Sequence, residues 1–136
     1  MLKEILDKQR TYSNFYFNNF HLEQLEKLVD LIFESKGVCF FSGVGKSGLV
    51  AEKIALTLVS TGTKAIYLSP INAMHGDIGI VSPGDIFIML SKSGESDELL
   101  QLVPSIRNKG AYLVSIVCTS ASRLQSASNL VISLPF

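Results

Sequence analysis

Apolar residues recur with two different periods along this chain, and the change falls near residue 37. Before it the spacing is helical: Leu2, Ile5, Leu6 and Tyr12 form one stripe, and Leu22, Leu25, Leu28, Val29 and Ile32 form a second. Such stripes predict amphipathic helices, with Asn18-Asn19 as the break between them. From Gly37 onward, short β-rich runs alternate with helical segments. Val38 to Ser42, Lys64 to Ser69, Asp85 to Ser91, Ala111 to Thr119 and Leu130 to Leu134 predict strands. Their apolar residues are mostly continuous, as in strands covered on both faces. The intervening helices are predicted at Lys46 to Ser60, at Glu95 to Asn108 and, weakly patterned, at Ser120 to Ser128; Gly62 and Gly110 stand where the first two should stop. Leu99, Leu102, Val103 and Ile106 give the second an inner face, and Pro104 should bend it. The alternation predicts an α/β fold, an open five-stranded parallel sheet flanked by helices over residues 37–136. An N-terminal helical arm, residues 1–36, should pack on it. The chain stops at Leu134-Pro135-Phe136 with no helix left to cover the last strand, which raises the expectation of a longer natural protein.

Two serine-rich glycine turns sit at strand-to-helix junctions of this plan. They are Ser42-Gly43-Val44-Gly45-Lys46-Ser47-Gly48 and Ser91-Lys92-Ser93-Gly94-Glu95-Ser96. A helix start leaves backbone N–H groups without partners and carries partial positive charge, so small hydroxyl-lined turns there suit a phosphate. In an open parallel sheet both turns fall at the carboxyl edge, where ligands bind near the reversal of strand order. Other motifs fit less well. Gly45-Lys46-Ser47 ends like a P-loop, but the glycine that motif needs five positions earlier is Phe40. Gly43, Gly45 and Gly48 satisfy G-x-G-x-x-G, yet the next strand ends Tyr67-Leu68-Ser69-Pro70 with no acid for a ribose. Ser47 and Ser93 lack the flanking glycines of a nucleophile elbow. In the second turn, Ser91, Ser93 and Ser96 surround Gly94 and can cup phosphate oxygens without a metal; the alternative is plain helix capping by Ser93 or Ser96.

Composition narrows the partners. Lys plus Arg and Asp plus Glu both number 12, so no overall field draws the chain to nucleic acid or an anionic membrane. The expected partner is a small molecule. At 136 residues and 47% apolar content, one domain can bury a real core. Cys39 and Cys118 lie in apolar runs with no C-x-x-C and no histidine at ligand spacing, which reads as buried, reduced thiols in a cytoplasmic protein with no required metal or cofactor. No apolar stretch approaches the ~20 residues of a membrane span. The first residues alternate charged with apolar types, unlike a signal peptide.

The stretches Gly43-Val44-Gly45-Lys46-Ser47-Gly48, Ser60-Thr61-Gly62, Met74-His75-Gly76-Asp77-Ile78-Gly79 and Ser91-Lys92-Ser93-Gly94-Glu95-Ser96-Asp97-Glu98 resemble the sugar isomerase (SIS) domain. Within it they are most similar to the arabinose 5-phosphate isomerase group. The resemblance covers residues 38 to 135 and rests on the pair of turns, which is specific where either alone is not. It implies a flavodoxin-like three-layer α/β/α fold. It also implies interconversion of ribulose 5-phosphate and arabinose 5-phosphate for Kdo and lipopolysaccharide synthesis. By the resemblance, Ser47, Ser91, Ser93 and Ser96, with Gly45 in the first turn, hold the sugar phosphate. Lys46 and Glu98 match catalytic positions, and His75 matches an active-site position that in this group can bind inhibitory zinc. Moving a carbonyl between adjacent carbons needs a carboxylate to carry a carbon-bound proton and a cation or imidazole to stabilise the oxyanion. Glu98 is the candidate base, Lys46 the stabiliser and His75 a ring-opening or proton-shuttling group. Bland alternatives stand beside these: Lys46 as a phosphate counter-charge, His75 as a loop imidazole bonded to backbone, Glu98 as a dipole partner. Family members assemble as dimers or tetramers and continue past the fifth strand with another catalytic glutamate and a histidine. The expectation is therefore a phosphosugar-binding core with little turnover on its own. A non-catalytic phosphosugar-binding regulatory module is the alternative.

Overall fold

The computed structural model describes residues 1–136. In chain order the elements are α1 (Leu2–Asn18), α2 (Leu22–Glu34), β1 (Cys39–Gly43), α3 (Lys46–Ser60), β2 (Ala65–Tyr67), α4 (Pro70–Met74), a 3-10 turn (Asp77–Ile80) and β3 (Ile86–Ser91). There follow α5 (Asp97–Leu100), α6 (Val103–Asn108), β4 (Tyr112–Val117), α7 (Arg123–Ala127) and β5 (Leu130–Ser133). All strand pairs are parallel and the order is β2-β1-β3-β4-β5. The expected five-stranded parallel sheet with flanking helices is thus present.

Alternation along the strands divides the core into two layers. Phe40, Phe87, Met89, Leu113 and Val117 point to one face and pack with Ala73 of α4, Leu99 of α5, Ile106 of α6 and Leu124 of α7. Cys39, Phe41, Ile86, Ile88, Leu90, Val114 and Ile132 point to the other, against Leu28 of α2 and Ala51 and Ala55 of α3. Every residue of β1 and β3 is buried, so these two strands are the spine of the sheet. Phe40 and Phe87 are register partners there, and their rings stack with centroids 5.9 Å apart. In the arm, α2 packs through Leu28, Leu31 and Ile32. By contrast α1 buries no residue, and Phe15 and Asn19 at its end border a depression shared with Ser133 to Phe136.

Three details differ from the sequence pattern. The single bent helix expected over Glu95 to Asn108 is two short helices, α5 and α6, separated at Gln101-Leu102. Pro104 has no N–H to offer the Leu100 carbonyl and its ring crowds that turn, so the ladder breaks instead of bending. Residues 70–80 hold α4 and a 3-10 turn in place of loop; Pro70 at the first helical position starts α4. Finally, β4 ends at Val117, before Cys118 and Thr119. Cys39 is buried as expected, but Cys118 is only half-buried. Having left the sheet, it borders a surface hollow instead of the core.

The amino edge of the sheet is fixed by one buried carboxylate. Asp85 Oδ1 accepts the Val38 N–H at 2.8 Å and Oδ2 accepts the Ser82 N–H at 2.7 Å. Removing it strands two donors, so Asp85→Ala should cost about 3 kcal/mol. Urea unfolding should show that loss as a lowered midpoint at unchanged slope. Ser115 makes the opposite case: it is fully buried and its hydroxyl has no partner. Ser115→Ala should leave stability unchanged or raise it by about 1 kcal/mol in the same assay.

Candidate functional site

The order β2-β1-β3-β4-β5 places the reversal of strand order between β1 and β3. From β1 the chain crosses into α3 on one face; from β3 it passes into α5 on the other. The turns after these neighbouring strands therefore diverge and leave a crevice, the place where open parallel sheets bind ligands. Gly43 and Leu90 are register partners, so the two turns start side by side.

A hollow of about 720 Å³ opens there, bordered by Val44 and Ser47 from the first turn, Ser91, Lys92, Ser93, Glu95 and Ser96 from the second, and Cys118, Thr119 and Ala121 after β4. All four serines singled out from the sequence meet in it. Gly45 lies beside it at the start of α3 with φ +59° and ψ −126°, a conformation that a side chain would strain. The first bond of α3 runs from the Leu49 N–H to the Gly45 carbonyl at 3.2 Å, leaving the N–H groups of Lys46, Ser47 and Gly48 without helical acceptors. With 15 residues behind them, these donors carry the stronger of the two helix-start fields.

The second turn is built differently. Ser91 Oγ accepts the Gly94 N–H at 3.0 Å and lies 2.9 Å from Ser96 Oγ; Ser93 Oγ accepts the Glu95 N–H at 3.2 Å. Ser96 precedes α5 but makes no side-chain cap. The serines thus shape the turn around Gly94 and do not merely cap a helix. Since α5 has four residues, its dipole adds little, and what this turn offers an anion is hydroxyls and turn N–H groups.

The three proposed catalytic residues are not on the wall of the hollow. Lys46 is exposed, one residue before Ser47. Glu98 is half-buried on α5, two residues after Ser96. His75 is exposed and ends α4, its N–H donating to the Ile71 and Asn72 carbonyls at 3.1 Å. Because α4 lies against α5, the elements carrying His75 and Glu98 are neighbours. No group of three or more histidine, cysteine, aspartate or glutamate side chains is arranged to hold a metal.

Sequence reading missed Lys92, a cation on the wall, and the whole contribution of the loop after β4. Arg123 donates its N–H to Glu95 Oε1 at 2.8 Å, its Nε to Glu95 Oε2, and its Nη2 to Asp97 Oδ1 at 3.2 Å. These bonds hold the Glu95 carboxyl below the usual carboxylate range, the backbone N–H contributing most. No signal in the chain pairs residues 95 and 123, which are brought together only by the β3–β4 neighbourhood.

A parallel three-layer domain with a crevice at its reversal point is of the open-sheet α/β class, whose ligand sites lie at the carboxyl edge of the strands. The chain is a member of the SIS domain family, whose model matches residues 31–135. A Chlamydia pneumoniae protein of uncharacterized function is 44% identical over 133 residues, covering 98% of this chain and 40% of that protein. The arabinose 5-phosphate isomerase KpsF of Escherichia coli O6:H1 is 42% identical over 111 residues, covering 82% of this chain and 34% of the enzyme. Among solved structures, an E. coli CFT073 protein in complex with arabinose 5-phosphate superposes with a TM-score of 0.83 at 30% identity, over 98% of this chain and 74% of that one. The chain therefore spans about two fifths or less of the length of these curated relatives.

Because the Glu95 carboxyl titrates below its usual range when folded, its bonds to Arg123 stabilise the turn at pH above the ordinary value of 4.5 and are lost as pH falls through the lowered folded value. An NMR titration of the Glu95 side chain should give a midpoint below 4.5; Arg123→Ala, which loses the guanidinium but keeps the backbone N–H, should recover only part of the difference. Gly94, at φ +66°, has room for no side chain: a Cβ there would overlap the Ser122 hydroxyl. Gly94→Ala should thus disorder the second turn, seen as loss of its amide protection in hydrogen exchange.

Proposed function

We propose that this chain is the phosphosugar-binding core of an aldose–ketose isomerase that interconverts ribulose 5-phosphate and arabinose 5-phosphate. The observation that carries the reading is the convergence of Ser47 with Ser91, Ser93 and Ser96 on one hollow at the reversal point. Kinship with the SIS family, and similarity to KpsF and to a protein solved with arabinose 5-phosphate, support a sugar phosphate as its occupant.

In this reading the serine hydroxyls and the free N–H groups of Lys46, Ser47 and Gly48 hold the phosphate. The sugar then extends along the crevice towards α5 and α4. Glu98 removes the proton from C2 of the open-chain aldose, giving an enediol, and returns it to C1 to form the ketose. Lys46 offsets the negative charge on the enediol oxygens, and His75 opens the ring or relays the hydroxyl proton. No metal or cofactor enters this scheme. The activity serves Kdo and lipopolysaccharide synthesis in the cytoplasm. No helix is long and apolar enough to cross a membrane. Outward-facing Leu49, Val50, Leu56 and Val59 of α3 support assembly into a dimer or tetramer, since these side chains are more than half exposed.

One observation favours a second reading, a phosphosugar-binding regulatory module without chemistry: Lys46, Glu98 and His75 all lie off the wall of the hollow. Calorimetric titration and mutagenesis separate the two. Arabinose 5-phosphate should bind, and Ser93→Ala should weaken it at least tenfold; unchanged affinity would leave the second turn without a role in binding. In the longest natural chain that carries this sequence, Glu98→Gln should keep binding and abolish isomerisation. Binding without turnover in that unmutated chain would favour the regulatory module.

A further inference from the structure

The second serine turn has few internal supports. It is followed by a four-residue helix, and the serines that shape it are only three and two residues from the N–H groups they hold. Such a short turn is poorly fixed by its own bonds, and the ordering left undone is subtracted from ligand affinity. External bonds come from the segment after β4, its loop and the first turn of α7. The Leu124 N–H donates to the Gly94 carbonyl at 3.1 Å, and the Cys118 N–H donates to the Lys92 carbonyl at 3.0 Å. Arg123 adds three bonds, from its N–H and Nε to the two oxygens of Glu95 and from Nη2 to Asp97. Gly94 itself abuts Ser122, whose hydroxyl caps α7 by accepting the Gln125 N–H at 3.2 Å.

We propose that Arg123 is a positioning residue, a latch that holds the second turn in its ligand-ready shape by gripping Glu95 and Asp97 from the start of α7. The ligand side of this proposal rests on the phosphosugar reading above; the latch itself does not.

Two features make the arrangement more than a surface ion pair. First, Glu95 borders the hollow, where a free carboxylate would oppose an incoming phosphate. Both of its oxygens are instead turned to Arg123, so the acid of the wall is neutralised by the group that holds the turn. Second, the side chain of Arg123 is 63% exposed and that of Asp97 75%. Exposed pairs contribute little to global unfolding, so the effect belongs to local ordering of the turn. Charge neutralisation alone and latching also predict opposite effects for one variant. Were Glu95 only an unwanted negative charge, Glu95→Gln would tighten anion binding. A latch requires that it weaken binding, because the amide cannot grip the guanidinium as a carboxylate does.

Two measurements on the chain test this. Without ligand, hydrogen exchange should accelerate at least fivefold at the Gly94 and Glu95 amides in Arg123→Ala, with the urea midpoint and the exchange of β1 and β3 unchanged. Unaltered exchange at those two amides would overturn the latch. With arabinose 5-phosphate and inorganic phosphate as probes, Arg123→Ala and Glu95→Gln should each weaken binding about tenfold, and the double variant should lose no more than either. Arg123→Lys should recover part of the loss. Tighter binding in Glu95→Gln, or additive losses in the double variant, would also overturn it. If the unmodified chain binds neither probe, the phosphosugar reading fails, while the exchange measurement still decides the latch.

Discussion

The parallel pairing of β1 with β3 is the constraint on which the rest of this structure depends. Neither strand is a sequence neighbour of the other, yet five residues of each are in register, from Cys39 opposite Ile86 to Gly43 opposite Leu90. Both are buried throughout, so the pairing is held by the two apolar layers and the stacked Phe40 and Phe87 rings as well as by backbone bonds. A slip of one residue would turn each buried side chain of a strand to the wrong face. The same register brings two serine turns, 44 residues apart at Ser47 and Ser91, to one rim. The shared rim thus follows from core packing at a distance: the serines are local to each turn, but their meeting is not.

The two turns differ in what they would offer the proposed phosphate. The first leans on a long helix, whose unpaired N–H groups at Lys46, Ser47 and Gly48 present a fixed partial charge. The second has almost no helix behind it and depends on Ser91, Ser93 and Ser96 bonding to its own backbone and to one another. Its remaining support comes from the start of α7, through Arg123 and Leu124. An α/β sheet thereby supplies three successive strand ends, of β1, β3 and β4, to one hollow. The chemistry proposed for Glu98 and His75 lies to one side, on α5 and at the end of α4, where the sugar rather than the phosphate would rest.

Much of this was legible in the sequence because the relevant signals are local. Continuous apolar runs marked all five strands, and glycine with serine after two of them marked the turns. What was not legible depends on contacts between distant segments or on competition within a short one. The periodicity of Leu99, Leu102, Val103 and Ile106 suggests one helix, but the missing N–H of Pro104 outweighs it and divides the segment. Cys118 reads as core because its neighbours are apolar; the early end of β4 moves it to the rim. The stripe at Leu2, Ile5, Leu6 and Tyr12 forms a helix as its spacing requires, yet all four residues stay more than half exposed, since amphipathicity specifies a face and not what covers it. Arg123 carried no signal at all: a lone arginine at the start of a weak helix acquires its meaning only from Glu95.

If both turns grip a single anionic group, titrating arabinose 5-phosphate into isotope-labelled protein should move the backbone amides of residues 44–48 and 91–96 together in NMR spectra, along curves that fit one dissociation constant. Movement of one turn alone, or separate constants for the two, would show that they do not share a ligand.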